Sequence, residues 1–329
     1  MSKKILVTGG TGFLGAYIIQ ELIQKSYQVF ALRRSSTIPS FLPAAIFDSV
    51  TWIEGDILDV TCLDESFAGM DAIIHAAAMV SFHKEDQHQL YKTNVEGTAN
   101  VVNAAIEHQV PKFIHISSVA ALGRVNEGDT VTENKKWVDS KTNTHYAISK
   151  FRAEMEVWRG MAEGLNVVVL NPSTILGYGN WDLSSTAIFK NVYNEFPWYT
   201  NGINGFVAVE DVAKAAIELL ESDIANEKFI INGDNWSFRK LFDTIADGFG
   251  KKRPHREATV FLGSIAWRLE ALKSFFTRQK PLLTKETAKV AQSATYFDNS
   301  KILKALPNFR FTPLESAIEV ACKKYLKAL

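Results

Sequence analysis

Lys3-Lys4-Ile5-Leu6-Val7-Thr8-Gly9-Gly10-Thr11-Gly12-Phe13-Leu14-Gly15 carries a buried-strand pattern straight into a loop with glycines at 9, 12 and 15. The apolar positions Phe13, Leu14, Ala16, Ile18, Ile19, Leu22 and Ile23 then recur with the spacing of a helix that buries one face. Each glycine has its own physical task. Gly9 permits the sharp turn off the strand, Gly12 lets the backbone approach a pyrophosphate, and Gly15 lets the helix pack close to the sheet. A helix beginning near Thr11 turns its amide groups and positive dipole end toward the phosphates. Glycine-rich turns are common, but a strand before and an apolar-periodic helix after are the context that a dinucleotide loop requires.

The same strand-helix rhythm continues along the chain. Apolar runs bounded by turn residues lie at 4–8, 28–32, 50–54, 71–75, 112–117, 166–170 and 228–232, with helical stretches between most of them. This alternation predicts an α/β protein with a doubly wound parallel sheet, a Rossmann fold. Thr61 ahead of Cys62-Leu63-Asp64-Glu65 reads as a helix N-cap, and Pro313 opens a final helix through Leu314, Ile318, Ala321 and Tyr325. After Pro172 the rhythm loosens. Residues 1–176 are expected to form the dinucleotide-binding domain, with 206–232 returning to it as a helix and a strand. The segments 177–205 and 233–329 lack paired strand signals and are expected to form a smaller, mostly helical substrate lobe.

Composition excludes several classes of partner. The 329 residues carry 36 basic and 36 acidic side chains, so net charge argues for neither nucleic acid nor a membrane surface. Cys62 and Cys322 are far apart and lack metal-ligand spacing; with no signal-peptide pattern, they point to a reducing cytoplasm and no disulfide. No run reaches the ~18 uncharged apolar residues of a membrane helix. Val260-Phe261-Leu262-Gly263-Ser264-Ile265-Ala266-Trp267 is interrupted at Arg268 and reads as an amphipathic helix. His83, His88, His108 and His255 form no metal-binding pattern, and no metal is expected.

The chemistry is in Thr144-His145-Tyr146-Ala147-Ile148-Ser149-Lys150, where Tyr146 and Lys150 stand four residues apart and project from one helical face. An unperturbed phenol titrates near ~10, so acid–base work at neutral pH calls for a neighbouring charge, and Lys150 is placed to favour the phenolate. Ser117-Ser118 follows the strand Phe113-Ile114-His115-Ile116 and taken alone could merely cap it. His75 and His115, inside apolar strands, read as satisfied core histidines, and His145 as structural.

Taken together these marks resemble the extended short-chain dehydrogenases/reductases, the superfamily of NAD-dependent epimerases, dehydratases and ketone reductases. The resemblance runs the length of the chain: the Thr8–Gly15 loop, Gly55-Asp56-Ile57, His75-Ala76-Ala77-Ala78, Asn94-Val95-Glu96-Gly97-Thr98, Ser117-Ser118 with Gly123, Tyr146 with Lys150, Asn171-Pro172-Ser173, and Phe206-Val207-Ala208-Val209-Glu210-Asp211-Val212-Ala213. Within the superfamily it favours the dihydroflavonol reductase and hydroxysteroid dehydrogenase branch. The resemblance implies that Ser118 hydrogen-bonds the substrate oxygen, that Tyr146 donates or accepts the proton and that Lys150 holds the nicotinamide ribose. It also implies that Gly9, Thr11, Gly12, Phe13, Leu14 and Gly15 cradle the pyrophosphate, and that Asp56 and Ile57 flank the adenine. Ala76, Ala77 and Ala78 would line the ribose and pyrophosphate trough, and Asn94 would support the active-site end of its helix. Ser117, Pro172 and Ser173 would lie beside the nicotinamide.

Selectivity for NAD usually rests on an acidic residue about 20 positions past the glycine loop. Here that place reads Ala31-Leu32-Arg33-Arg34-Ser35-Ser36, without a carboxylate. Arg33 or Arg34 could instead bind a 2′-phosphate, so NADP(H) is the expected cofactor, with NAD(H) as the second choice. Three function classes follow: an NADP(H)-dependent oxidoreductase acting on a small-molecule carbonyl or alcohol, a nucleotide-sugar epimerase or dehydratase with tightly bound NAD, and a non-enzymatic cofactor sensor. The intact Ser118, Tyr146 and Lys150 set argues against the last. The stretches 86–108 and 145–163 read as helices with enough apolar surface for a homodimer.

Overall fold

The computed structural model describes residues 2–123, 128–140, 143–259 and 291–329; the amphipathic helix expected at 260–267 lies outside them. The main sheet has seven parallel strands in the order Glu227–Ile231, Val167–Pro172, Phe113–Ile116, Ala72–His75, Lys4–Thr8, Gln28–Arg33, Thr51–Glu54. Each of the seven apolar runs read from the sequence is a strand. Ala72–His75, Phe113–Ile116 and Val167–Pro172 are buried at every position, which is why they read as continuous apolar runs rather than alternating ones.

The chain builds the sheet outward from Lys4–Thr8 in both directions, so the order reverses between that strand and Ala72–His75. In this topology ligands bind beyond the carboxyl ends of the strands at the reversal. The helices Phe13–Gln24 and Val209–Glu221 cover one face, burying Ala16, Ile19, Val212 and Ala216 with Ile5 and Val7. The other face is covered by Val60–Phe67, Gly97–Glu107 and His145–Ala162, which bury Leu63, Val101 and Val157 against Leu6 and Val169. Each fully buried side chain of this kind contributes ~1.5–3 kcal/mol relative to exposure. No helix among the described residues is long and apolar enough to cross a membrane.

Two expectations need correction. The helix Val60–Phe67 is capped by Asp59, whose extended backbone lets its carboxylate accept from the Cys62 amide at 3.1 Å; Thr61 lies inside the first turn. The later part of the chain also contains strands. Thr174–Leu176, Ile203–Ala208 and Asp234–Ser237 form a three-stranded sheet, and Trp198–Tyr199 pairs with Arg256–Glu257, Thr130–Val131 with Tyr296–Phe297. Most of these elements are too short or too polar to give a periodic signal, and in Ile203–Ala208 the pair Asn204-Gly205 interrupts the apolar run. The final helix, Leu314–Ala328, follows Pro313 and buries Leu314, Ile318, Ala321 and Tyr325, the face read from its spacing.

The turn after the first strand is set by backbone contact. Gly9 sits at φ +75°, and a Cβ on Gly15 would lie 2.1 Å from the Gly9 carbonyl oxygen. A Cβ on Gly12 would lie 3.1 Å from that oxygen, a contact that a slight shift relieves. Gly15→Ala should therefore cost about 1–3 kcal/mol in chemical denaturation, as overpacking does, while Gly12→Ala should cost less than about 1 kcal/mol. Equal losses in the two variants would contradict this packing.

Two histidines are buried in adjacent strands, stacked with ring centroids 5.2 Å apart. His75 is satisfied, with Nδ1 2.7 Å from the Thr8 hydroxyl and Nε2 3.0 Å from that of Thr98. Neither ring nitrogen of His115 has a partner, so only His75 meets the expectation of a satisfied core histidine. Burial, with the Lys150 charge adding to it, pushes His75 down to about 3 and His115 well below the ordinary range. The unfolded chain takes up these protons near pH ~6.5 and the folded chain does not, so the folded state loses stability as pH falls below that value. Urea unfolding between about pH 6.5 and pH 5 should show this decline, and His115→Leu should flatten it; an unchanged slope in that variant would refute the assignment.

Candidate active site

The helix His145–Ala162 begins at Thr144, whose hydroxyl accepts from the Ala147 amide at 3.0 Å. Residues four apart along it share a face, which places Tyr146, Lys150 and Glu154 in one line toward the sheet. Lys150 is 3% exposed and Glu154 is 4% exposed, so two charges are taken out of water on one helix face. The Lys150 ammonium donates to the Ile116 carbonyl at 2.9 Å, at the carboxyl end of the strand Phe113–Ile116. Burial pushes Lys150 down to about 8, and the negative charge of Glu154 opposes that shift.

Ser118 follows that strand and caps the short turn Val119–Leu122, its hydroxyl accepting from the Ala120 amide at 3.1 Å. The Tyr146 phenol lies near enough to this side chain for its titration to be shifted by it, so the two candidate catalytic groups are neighbours. Burial raises the phenol above its ordinary value, and the nearby Ser118 hydroxyl partly offsets the rise. The sequence expectation that Lys150 lowers this phenol is not met: the ammonium is directed to the Ile116 carbonyl, and desolvation dominates at Tyr146. Phe82 lies edge-on to the tyrosine ring at 5.5 Å and supplies an apolar wall.

The other predicted positions surround this pair. Asn94, 1% exposed, lies in a wide helical turn, Lys92–Glu96. Its amide brackets Met79, accepting from the nitrogen at 2.7 Å and donating to the oxygen at 2.9 Å, and donates to the Ser149 hydroxyl at 3.0 Å. It thereby ties the Ala76–Ala78 loop to the tyrosine helix. Ala76 and Ala77 are anchored to Thr8, their amides donating to its carbonyl at 3.1 Å and its hydroxyl at 3.3 Å; Ala78 is exposed. Thr11 and Gly12 are exposed at the loop and Leu14 is half-buried, while the Phe13 ring turns to Tyr17 and Phe41 at 5.9 and 6.3 Å.

Asp56 accepts from the Leu58 amide at 3.0 Å, and Ile57 is buried against Gly97. The Arg33 guanidinium lies 5.6 Å from the Trp52 ring centroid and its buried Nε has no partner; Arg34 is exposed. Pro172 and Ser173 are buried, the serine amide donating to the Ile231 carbonyl at 3.0 Å. Ser117 is also buried, and its hydroxyl is committed to Glu154 Oε2 at 2.8 Å. Glu154 and its partner Asn171, which donates to the same oxygen at 2.8 Å, were not singled out as site residues from the sequence. The signal was present for Glu154: it stands one turn beyond Lys150. His145 has a structural environment, with Nδ1 2.9 Å from Gln87 Nε2. No group of three or more metal-binding side chains occurs among the described residues.

Comparison with known proteins places the chain in a family. Residues 5–232 match the model of the NAD dependent epimerase/dehydratase family. A Synechocystis sp. protein named as a dihydroflavonol 4-reductase is 29% identical over 315 residues, covering 93% of this chain and 90% of that protein. Cinnamoyl-CoA reductase 1 of Petunia hybrida is 30% identical over 241 residues, 69% of this chain and 71% of the enzyme. The crystal structure of gox2253 superposes with a TM-score of 0.83 at 28% identity, covering 99% of both chains. The chain belongs to the NAD dependent epimerase/dehydratase family and is an NAD(P)-dependent oxidoreductase of the extended short-chain dehydrogenase/reductase type.

Proposed function

We propose that this protein is an NADP(H)-dependent reductase of ketones or aldehydes, moving a hydride between the nicotinamide and the carbonyl or alcohol of a small or medium-sized organic molecule. The observation that carries the reading is the placing of Tyr146 near Ser118, with Phe82 edge-on to the phenol ring and the Lys150 ammonium buried one turn along the same helix. The names of the Synechocystis and Petunia relatives, both reductases, support it.

The residues present suit a dinucleotide. Gly12 is exposed in the loop, and Arg33 offers an unsatisfied buried Nε at the end of the second strand, where no carboxylate stands. The cofactor when bound supplies or receives the hydride. Ser118 orients the substrate oxygen by hydrogen bonding, and Tyr146 gives it a proton in reduction or takes one in oxidation. Lys150 holds the ribose hydroxyls. Like any phenol Tyr146 is protonated at neutral pH, the form that donates a proton in carbonyl reduction. Oxidation of the corresponding alcohol needs the phenolate, so its rate should rise with pH across the alkaline range.

Sugar-nucleotide chemistry is the weaker reading on charge. A substrate diphosphate needs compensating cations, and the chain has Asn204-Gly205 and Leu170-Asn171 where an arginine would serve. Asn171 is instead fully buried and bonded to Ser118 and Glu154.

Three outcomes test the proposal. NADPH should be preferred over NADH, and Arg33→Asp should narrow the gap in kcat/KM; an NADH preference in the unmodified protein would refute the cofactor assignment. Tyr146→Phe should lower turnover by ~10²–10⁴-fold with NADPH affinity nearly intact, and near-normal turnover would sink the tyrosine assignment. A panel of aromatic and aliphatic carbonyl compounds should include one that oxidises NADPH, while nucleotide sugars should neither turn over nor raise the melting temperature. Conversion of a nucleoside diphosphate sugar to an epimer or keto sugar would overturn the substrate class.

A further inference from the structure

We infer that Glu154 is a positioning residue of this site, one that clamps the two-serine segment and holds Lys150 in its protonated form; resting on the reductase reading above, this assigns it a role in cofactor binding as well as in shape. Glu154 is almost wholly buried yet gathers donors from three separate elements. Its Oε2 accepts from the Ser117 hydroxyl at 2.8 Å and from Asn171 Nδ2 at 2.8 Å. The same Asn171 nitrogen donates to the Ser118 carbonyl at 3.0 Å, so the backbone on either side of the reactive serine is tied to one carboxylate. Its Oε1 accepts from Trp158 Nε1 at 3.2 Å and lies 3.6 Å from the Lys228 ammonium.

A purely structural carboxylate would be balanced by its nearest cation. Lys228 reaches it only loosely and its side chain is 25% exposed, at a cleft of about 360 Å³ that also carries Glu133, Lys135 and Lys136. Water at that opening screens the outer charge, while the interior separating Glu154 from Lys150 does not. Facing Lys150 from the sheet are His75 and His115, which burial keeps neutral, and on its own helix are Tyr146 and Glu154. Glu154 is thus the negative charge that opposes the desolvation of the buried ammonium. An anionic dinucleotide binds best to that ammonium in its charged state.

The test is the affinity for NADPH, read by nicotinamide fluorescence from about pH 7 to about pH 10, across the titration range of a depressed lysine. In the unmodified protein the affinity should fall as Lys150 loses its proton, and Lys150→Met should abolish that fall. Glu154→Gln should move the midpoint to lower pH, whereas Glu154→Asp, which keeps the charge, should hold it near the unmodified value. Glu154→Met, which removes the charge and keeps most of the volume, should likewise move it to lower pH and serves if Glu154→Gln does not fold. Loss of Ser117 and Asn171 contacts alone would lower stability without moving a midpoint. Unchanged midpoints in Glu154→Gln or, in its stead, Glu154→Met, with the fall abolished in Lys150→Met, would overturn the role of Glu154 alone. A fall that persists in Lys150→Met would overturn the ribose-binding role of Lys150 as well.

Discussion

One buried ammonium organises this site. Lys150 is out of water on the inner face of the helix His145–Ala162, and an isolated charge there would be costly. The fold meets that cost with two groups: the Ile116 carbonyl, which accepts its proton at 2.9 Å, and Glu154 one turn along the same helix. The first contact pins the helix to the carboxyl end of a central strand. The second requires a buried carboxylate, which in turn needs donors of its own, and Ser117, Asn171 and Trp158 provide them. Ser118, its carbonyl held by Asn171, is thereby fixed near Tyr146. The reactive pair, on this account, is a consequence of how one positive charge is kept in the interior.

The sheet supplies the ground on which this happens. Its order reverses between Lys4–Thr8 and Ala72–His75, and the glycine loop, the Ala76–Ala78 segment and Ser118 all leave the sheet at its carboxyl edge. Asn94 locks the second of these to the tyrosine helix through Met79 and Ser149. Close approach of the Ala76–Ala77 backbone to Gly9, and of the first helix to the loop at Gly15, is demanded by the fold itself, whereas Gly12 has more latitude within the protein.

Much of this was legible in the sequence, and the exceptions have physical reasons. The central strands of the main sheet could be read because burial on both faces leaves continuous apolar runs, while the edge strand Thr51–Glu54, with no buried position, showed only the apolar pair Trp52-Ile53 between turn residues. Asp234–Ser237 could not, since a short strand of Asp, Asn, Trp and Ser has no periodicity to detect. Asp59 rather than Thr61 caps its helix because both are competent caps, and only backbone conformation separates them. The shared helical face of Tyr146 and Lys150 was readable from their spacing, and Ser118 was singled out through the family resemblance. Glu154 carries the same one-turn spacing from Lys150, but a glutamate on a helix is normally solvent-facing, and nothing in the linear chain reveals that Asn171 and Ser117 converge on it. The direction of the Tyr146 shift was also hidden, because desolvation depends on packing that sequence does not display.

The central claim is net hydride transfer from nicotinamide to a carbonyl carbon. Its most direct test is to incubate the protein with a reducible carbonyl compound and NADPH deuterated at C4, in the R and S forms separately, and to weigh the product by mass spectrometry. The account predicts that one of the two forms places a single deuterium on the new carbinol carbon, with an equivalent of NADP⁺ released. A converted substrate that carries no deuterium from either form, with no net cofactor oxidation, would contradict it and indicate that hydride is only borrowed and returned.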